Sequence, residues 1–75
     1  MPPPAQVQNV VENGRAYRII IEKANHQHPE GSVVGVYTGE GYREKVWLHT
    51  AGEFESDNDL SRQALAKIKL HAHAR

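Results

Sequence analysis

Histidine is the side chain of this sequence with the clearest metal-binding chemistry, and four of the five histidines form pairs separated by one residue. His26 and His28 lie near Glu30, and side chains two residues apart share a side of an extended chain. His71 and His73 are less suitable, because on a helix they would point in nearly opposite directions. Zinc prefers about four ligands, commonly including thiolates, and the chain has no cysteine. His26 and His28 are therefore weak candidates for zinc, copper or nickel, and no cofactor is predicted.

Acid–base catalysis has one candidate cluster, His49 with Glu22 and Arg18 across the predicted sheet. A histidine acts as a general acid or base when a partner holds it within hydrogen-bond reach in a pocket that excludes water. No catalytic motif accompanies this cluster. Gly39-Glu40-Gly41 lies between two predicted strands, whereas a phosphate-binding loop lies between a strand and a helix. The sequence thus predicts a protein that is not an enzyme.

The stretch from Tyr42 to Thr50 alternates in character, as a strand with two different faces does. Val46 and Leu48 point to one side and are expected to face the core. The other side carries cations, a histidine and the only tryptophan, and interfaces are enriched in Trp, Tyr and Arg at their energetic centres. Together with residues of the neighbouring strands, it predicts an interaction face made of Arg18, Ile20, Tyr37, Arg43, Lys45, Trp47 and His49.

These side chains need a sheet to hold them, and the pattern predicts an α+β fold. Three strands, at 15–24, 33–38 and 42–50, form an antiparallel meander, because consecutive strands usually pair. A C-terminal helix at 57–72 packs on one face through an apolar stripe at helical spacing. Ser56 can cap this helix, and Asp59 can reach back to it as in a capping box. The predicted core is Tyr17, Ile19, Ile21, Val34, Val36, Val46, Leu48, Phe54, Leu60, Leu65 and Ile68.

The register of the second hairpin depends on the length of its loop. A three-residue loop, Gly39-Glu40-Gly41, supplies two glycines where a tight turn requires positive φ. Thr38 would then lie opposite Tyr42, and Val34 opposite Val46. A loop longer by one residue would exchange the two faces of the last strand, because side chains alternate with a period of two.

Residues 1–14 are expected to be an extended, proline-rich leader, and residues 15–75 a single small domain. Pro2, Pro3 and Pro4 cannot donate to a helix or a sheet. The valines that follow offer two alternatives: a fourth strand over 6–11, or a segment that folds back over the Trp47 face. The chain start lacks the basic and apolar regions of a secretory signal, and no stretch is long enough to span a bilayer. These features predict a cytoplasmic protein that does not enter membranes.

Besides the metal ions considered above, two classes of partner follow from the charges and the predicted face. Lysine plus arginine equals aspartate plus glutamate, nine of each, which does not favour nucleic acid. Over residues 15–72, the order of elements and the Arg43-Lys45-Trp47 pattern resemble the plant AP2 and phage-integrase N-terminal DNA-binding domains. That resemblance implies nucleic-acid binding through the sheet face. The preferred interpretation is a non-enzymatic module that binds a protein, above all a second copy of itself, through a sheet face or edge.

Overall fold

The structure is a computed structural model that describes residues 5–23 and 31–74. An antiparallel sheet of four strands in sequential order supports one helix on one of its faces. The expected α+β class and the C-terminal helix are confirmed. The elements are β1 (Ala5–Glu12), β2 (Arg15–Glu22), β3 (Val33–Thr38), β4 (Glu44–Thr50) and α1 (Asp57–Ala72).

Most of the segment that was expected to be an extended leader forms the first strand of the sheet. β1 pairs along its whole length with β2, from Ala5 opposite Glu22 to Glu12 opposite Arg15. Asn13 and Gly14 form the two-residue turn between them with φ of 53° and 76°, and positive φ at both positions is typical of a type I′ hairpin. The segment 5–12 is therefore an edge strand, and it does not fold back over either face of the sheet.

The core lies between α1 and the three strands β2, β3 and β4. Of the predicted core, Val46 and Leu65 are only partly buried. Two assignments are wrong: Leu48 is 51% exposed and Phe54 is 91% exposed. Ala51 and Ala64 belong to the core as well. The predicted residues that are fully buried are Tyr17, Ile19, Ile21, Val34, Val36, Leu60 and Ile68.

The loop between β3 and β4 is longer than expected and is followed by a bulge. Residues 39–43 connect the strands, so Thr38 lies opposite Glu44 rather than Tyr42. The pairing is thus shifted by two residues from the expected one, and an even shift leaves each side chain of β4 on its expected face. The register then shifts by one, because Tyr37 pairs with Lys45 whereas Val36 pairs with Trp47. Val46 is the extra residue, and an odd shift moves every later side chain of β4 to the other face.

The start of α1 has the expected cap. The Ser56 hydroxyl accepts a hydrogen bond from the Asp59 backbone N–H, and the Asp59 carboxylate accepts one from the Ser56 backbone N–H at 3.0 Å. Both acceptors satisfy N–H groups that the first turn of a helix leaves without partners. The Lys23 ammonium donates to the Asp57 carboxylate at 2.6 Å and thereby connects the end of β2 to the start of α1.

The end of α1 is fastened to the β1–β2 hairpin by three side-chain contacts, which we call the hairpin–helix contacts. They are Asn13 Nδ2 donating to the Ala72 carbonyl at 2.8 Å, Tyr17 Oη with His71 Nδ1 at 2.8 Å, and Glu12 with His73 Nε2 at 3.0 Å. The helix is therefore held at both ends. In the part of the chain that the structure describes, α1 is the longest helix at 16 residues, and no helix has the length and apolar character needed to cross a bilayer.

Candidate protein-interaction surface

The residues of the expected interaction face lie on opposite sides of the sheet. Trp47 pairs with Val36 and His49 pairs with Val34, and both valines are fully buried beneath α1. Because directly paired residues share a face, Trp47 and His49 lie on the helix side. The prediction that they belong to an uncovered face is wrong, and the bulge at Val46 is the physical reason.

Trp47 and His49 close the β4 side of the core. Their rings stack with centroids 5.4 Å apart and planes 9° apart, and the Lys67 ammonium lies 5.8 Å from the Trp47 ring. His49 Nε2 lies 2.9 Å from the Glu55 carboxylate. The same carboxylate accepts hydrogen bonds from the Gly52 N–H at 2.8 Å and from the Gln63 amide at 2.5 Å. With three partners in a fixed arrangement, Glu55 orders the turn after β4.

The Glu55 hydrogen bonds lower the pKa of its carboxyl group from 4.5 to about 2, with the Gly52 N–H as the largest cause, followed by Gln63 and His49. A carboxylate with a lowered pKa in the folded state stabilises the fold above its unfolded pKa. This contribution is lost as the pH falls through the folded value. Glu55→Gln should therefore flatten the decline of the melting temperature between about pH 4.5 and pH 2.

Glu53→Gln is the matched control, because Glu53 is an exposed carboxylate in the same turn. It should leave the slope between pH 4.5 and pH 2 unchanged. Differential scanning calorimetry across this range measures both variants. Equal slopes for Glu55→Gln and the unsubstituted protein would contradict a role of this carboxylate in acid stability.

The face opposite α1, which we call the free face, carries three rows of paired residues that run across the sheet. No described element packs over it, although Tyr42 of the β3–β4 loop reaches its margin. The apolar row is Val7, Ile20, Gly35 and Leu48; the cationic row is Asn9, Arg18, Tyr37 and Lys45; and the acidic row is Ala5, Glu22, Val33 and Thr50. The apolar row lies between the cationic and the acidic rows.

At the centre of the free face, a glycine lies under a tyrosine ring. A Cβ atom at Gly35 would come within 2.6 Å of Tyr37 Cε2. The absence of a side chain therefore allows the Tyr37 ring to lie along the strand, between Ile20 and Leu48. Val7 and Leu48, at the two ends of the apolar row, are 57% and 51% exposed. The row thus combines an aromatic ring with accessible aliphatic groups.

Arg18 is held in place on the free face by two contacts. Its guanidinium carbon lies 4.0 Å from the centroid of the Tyr42 ring, and its Nε–H donates to the Asn9 side-chain oxygen at 3.0 Å. An arginine has five N–H donors, so the terminal nitrogens retain donors for a partner. A guanidinium that is already ordered loses less conformational entropy when it binds.

Of the predicted interaction residues, Arg18, Ile20, Tyr37 and Lys45 do lie together on the free face. Arg43 lies in the β3–β4 loop and is exposed. Sequence reasoning missed Val7 and Leu48. The signal for Leu48 was the uninterrupted apolar run Val46-Trp47-Leu48, in which alternation cannot decide which residue faces the core.

The candidate metal ligands His26 and His28 lie outside the described residues. Within 5–23 and 31–74, no three side chains of histidine, cysteine, aspartate or glutamate come together in a group that could hold a metal ion.

Comparison with protein-family models, curated proteins and solved structures finds no match to this chain. The resemblance to AP2 and integrase N-terminal domains therefore gains no support from any of the three. It depended on the order of elements and on the Arg43-Lys45-Trp47 pattern, in which the three side chains were expected to share one sheet face. The bulge separates Lys45 from Trp47, and Arg43 lies in a loop.

Proposed function

We propose that this protein is a non-enzymatic self-association module whose free face docks onto the free face of a second copy. The observation that carries the proposal is the apolar row, in which Val7, Ile20 and Leu48 lie on the side of the sheet opposite α1. An apolar patch with a polar rim is typical of protein–protein contact sites. The zero formal net charge adds no overall repulsion between copies.

The arrangement of charges favours a second copy as the occupant. A two-fold axis along the apolar row would place that row against its counterpart and the cationic row of each copy over the acidic row of the other. Arg18 would then face Glu22 of the second copy, since both residues belong to β2. Sheets pack about 10 Å apart, a gap that an arginine and a glutamate side chain can span together. The interface would contain two such pairs.

The size of the free face predicts a weak interface. Four strands about 4.8 Å apart and some six residues long, at about 3.3 Å per residue, cover roughly 400 Å² in each copy. Stable interfaces bury about 800 Å² per partner, and smaller ones belong to transient complexes. We therefore expect face-to-face association in the micromolar range or weaker.

Leu48→Glu tests the proposal, because it places a charge in the apolar row at a side chain exposed enough to change without unfolding the protein. The variant should show a lower weight-average mass than the unsubstituted protein at the same concentration, measured by sedimentation equilibrium. Leu70→Glu is the matched control, since Leu70 is 68% exposed on α1, away from the free face. A mass that is independent of concentration in the unsubstituted protein, or unchanged by Leu48→Glu, would contradict the proposal.

Charge reversal tests the alignment of the two copies. Arg18→Glu and Glu22→Arg should each weaken association, because each places like charges opposite one another. The double variant should recover much of the lost affinity, because it restores an opposite-charge pair with the signs exchanged. The absence of any recovery would exclude the two-fold axis along the apolar row.

A further inference from the structure

Within the described residues, β1 lies at an edge of the sheet, and its own sequence carries little of the usual protection of edge strands. Edge strands commonly carry lysine, proline or a bulge that prevents pairing with another chain. β1 has the sequence Ala-Gln-Val-Gln-Asn-Val-Val-Glu, in which the terminal Glu12 is the only charge, and its register with β2 is regular. Its residues from Ala5 to Asn9 are exposed, and Val11 is 72% exposed. At the other edge of the sheet, β4 begins with Glu44 and Lys45 and contains the bulge.

The Asn13-Gly14 turn determines which backbone groups of β1 are free to pair. In a two-residue turn, the residues that flank it are joined by a backbone hydrogen bond, so Glu12 and Arg15 form a hydrogen-bonded pair. Hydrogen-bonded and non-hydrogen-bonded pairs then alternate along an antiparallel ladder. The even-numbered residues of β1 direct their N–H and C=O groups towards β2. The odd-numbered residues direct theirs outward, and these are Ala5, Val7, Asn9 and Val11.

We propose that β1 pairs antiparallel with β1 of a second copy, with Asn9 opposite Asn9, to form one continuous sheet of eight strands. The outward-pointing groups require odd-numbered residues to lie opposite odd-numbered residues. Among these registers, the one centred on Asn9 matches similar side chains, because Val7 of each copy lies opposite Val11 of the other. The two asparagines meet on the two-fold axis.

The charges of β1 agree with this register. Glu12 of each copy lies opposite the uncharged Gln6 of the other, so the two carboxylates are at opposite ends of the paired strands. The axis is perpendicular to the sheet, and both α1 helices therefore lie on the same side. The two free faces also lie on one side and join into a single wider surface. The edge contact uses β1 alone and does not depend on docking of the free faces.

Cysteine crosslinking tests the register, and the chain has no cysteine of its own. Paired residues of an antiparallel ladder have Cα atoms about 5.5 Å apart. Asn9→Cys should therefore give a covalent dimer with a short bis-maleimide. Both variants are made in the Leu48→Glu background, because docking of the free faces would bring the two Val7 side chains together. Val7→Cys is then the matched control: residues 7 of the two copies are four positions out of register, about 13 Å apart along the strand, and should crosslink much more slowly. Equal crosslinking of both variants, or of neither, would overturn the proposal.

A proline substitution tests the hydrogen bonds. Asn9→Pro removes an outward N–H that β2 does not use, and proline is tolerated on edge strands at such positions. In the Leu48→Glu background, it should weaken the remaining dimerisation about tenfold or more, since two backbone hydrogen bonds are lost at the axis. Asn9→Ala, which removes the side-chain contacts of Asn9 but keeps its backbone N–H, should retain the dimer, and Asn9→Pro should keep the circular dichroism spectrum of the folded protein.

The same variants distinguish the edge pairing from the docking of the free faces. If Leu48→Glu is already monomeric at every concentration, the edge pairing is overturned and the free-face proposal stands. If Leu48→Glu associates as the unsubstituted protein does and Asn9→Pro abolishes association, the edge pairing stands and the free-face proposal falls.

Discussion

Trp47→Ala should lower the free energy of unfolding by about 2–3 kcal/mol, because Trp47 fills the β4 side of the core beneath α1. The loss combines two terms: the favourable free energy of burying the indole, which the variant no longer gains, and the cavity that remains between β4 and Lys67. Urea denaturation at a concentration at which the protein is monomeric measures the change. A sheet without the bulge would turn Trp47 outward and make it dispensable for folding.

Leu48→Ala is the matched control for the bulge, because Leu48 is the next residue of β4 and is 51% exposed. It should change the free energy of unfolding by less than about 1 kcal/mol. Its effect should instead be on association through the free face. If Leu48→Ala destabilised the monomer more than Trp47→Ala does, the faces of β4 would be assigned the wrong way round.

Leu60→Ala should destabilise the protein by about 2–5 kcal/mol, the range for deletion of a buried leucine side chain. Leu60 lies in the first turn of α1, is fully buried and packs against the sheet. A small domain has only a few kcal/mol of net stability, so this variant should be largely unfolded at 37 °C.

Leu70→Ala makes the same chemical change on the same helix at a side chain that is 68% exposed, and should cost less than about 1 kcal/mol. Thermal unfolding followed by circular dichroism compares the pair. Similar melting temperatures for the two variants would mean that α1 does not pack on the sheet through Leu60.

The elements of this fold were predictable where local chemistry determines them. The helix bounds follow from the Ser56 cap and the apolar stripe, and the expected span of 57–72 is the observed one. β3 was also predicted with its observed bounds, because Val33–Thr38 lies between a polar loop and a glycine turn. Phe54 is 91% exposed in a turn, and its apolar character alone does not determine on which side of the turn its ring lies.

The faces of β4 were not predictable, because a bulge depends on how the two strands meet. Before Val46, Lys45 lies on the side that alternation assigns to it; after Val46, Trp47 and Leu48 are exchanged. Three consecutive apolar residues fit either assignment equally well. Packing decides between them, since the large indole fills the space under α1 beside Val36.

The hairpin–helix contacts have a consequence for how the chain folds. They join residues that are 54 to 61 positions apart, so each closes a loop that spans most of the sequence. The entropy of closing such loops must be lost before the contacts contribute any stability, which slows folding. The β1–β2 hairpin, marginal by itself in water, gains this support only when the last turn of α1 has formed. The first and last elements of the domain are therefore expected to form and melt as one cooperative unit.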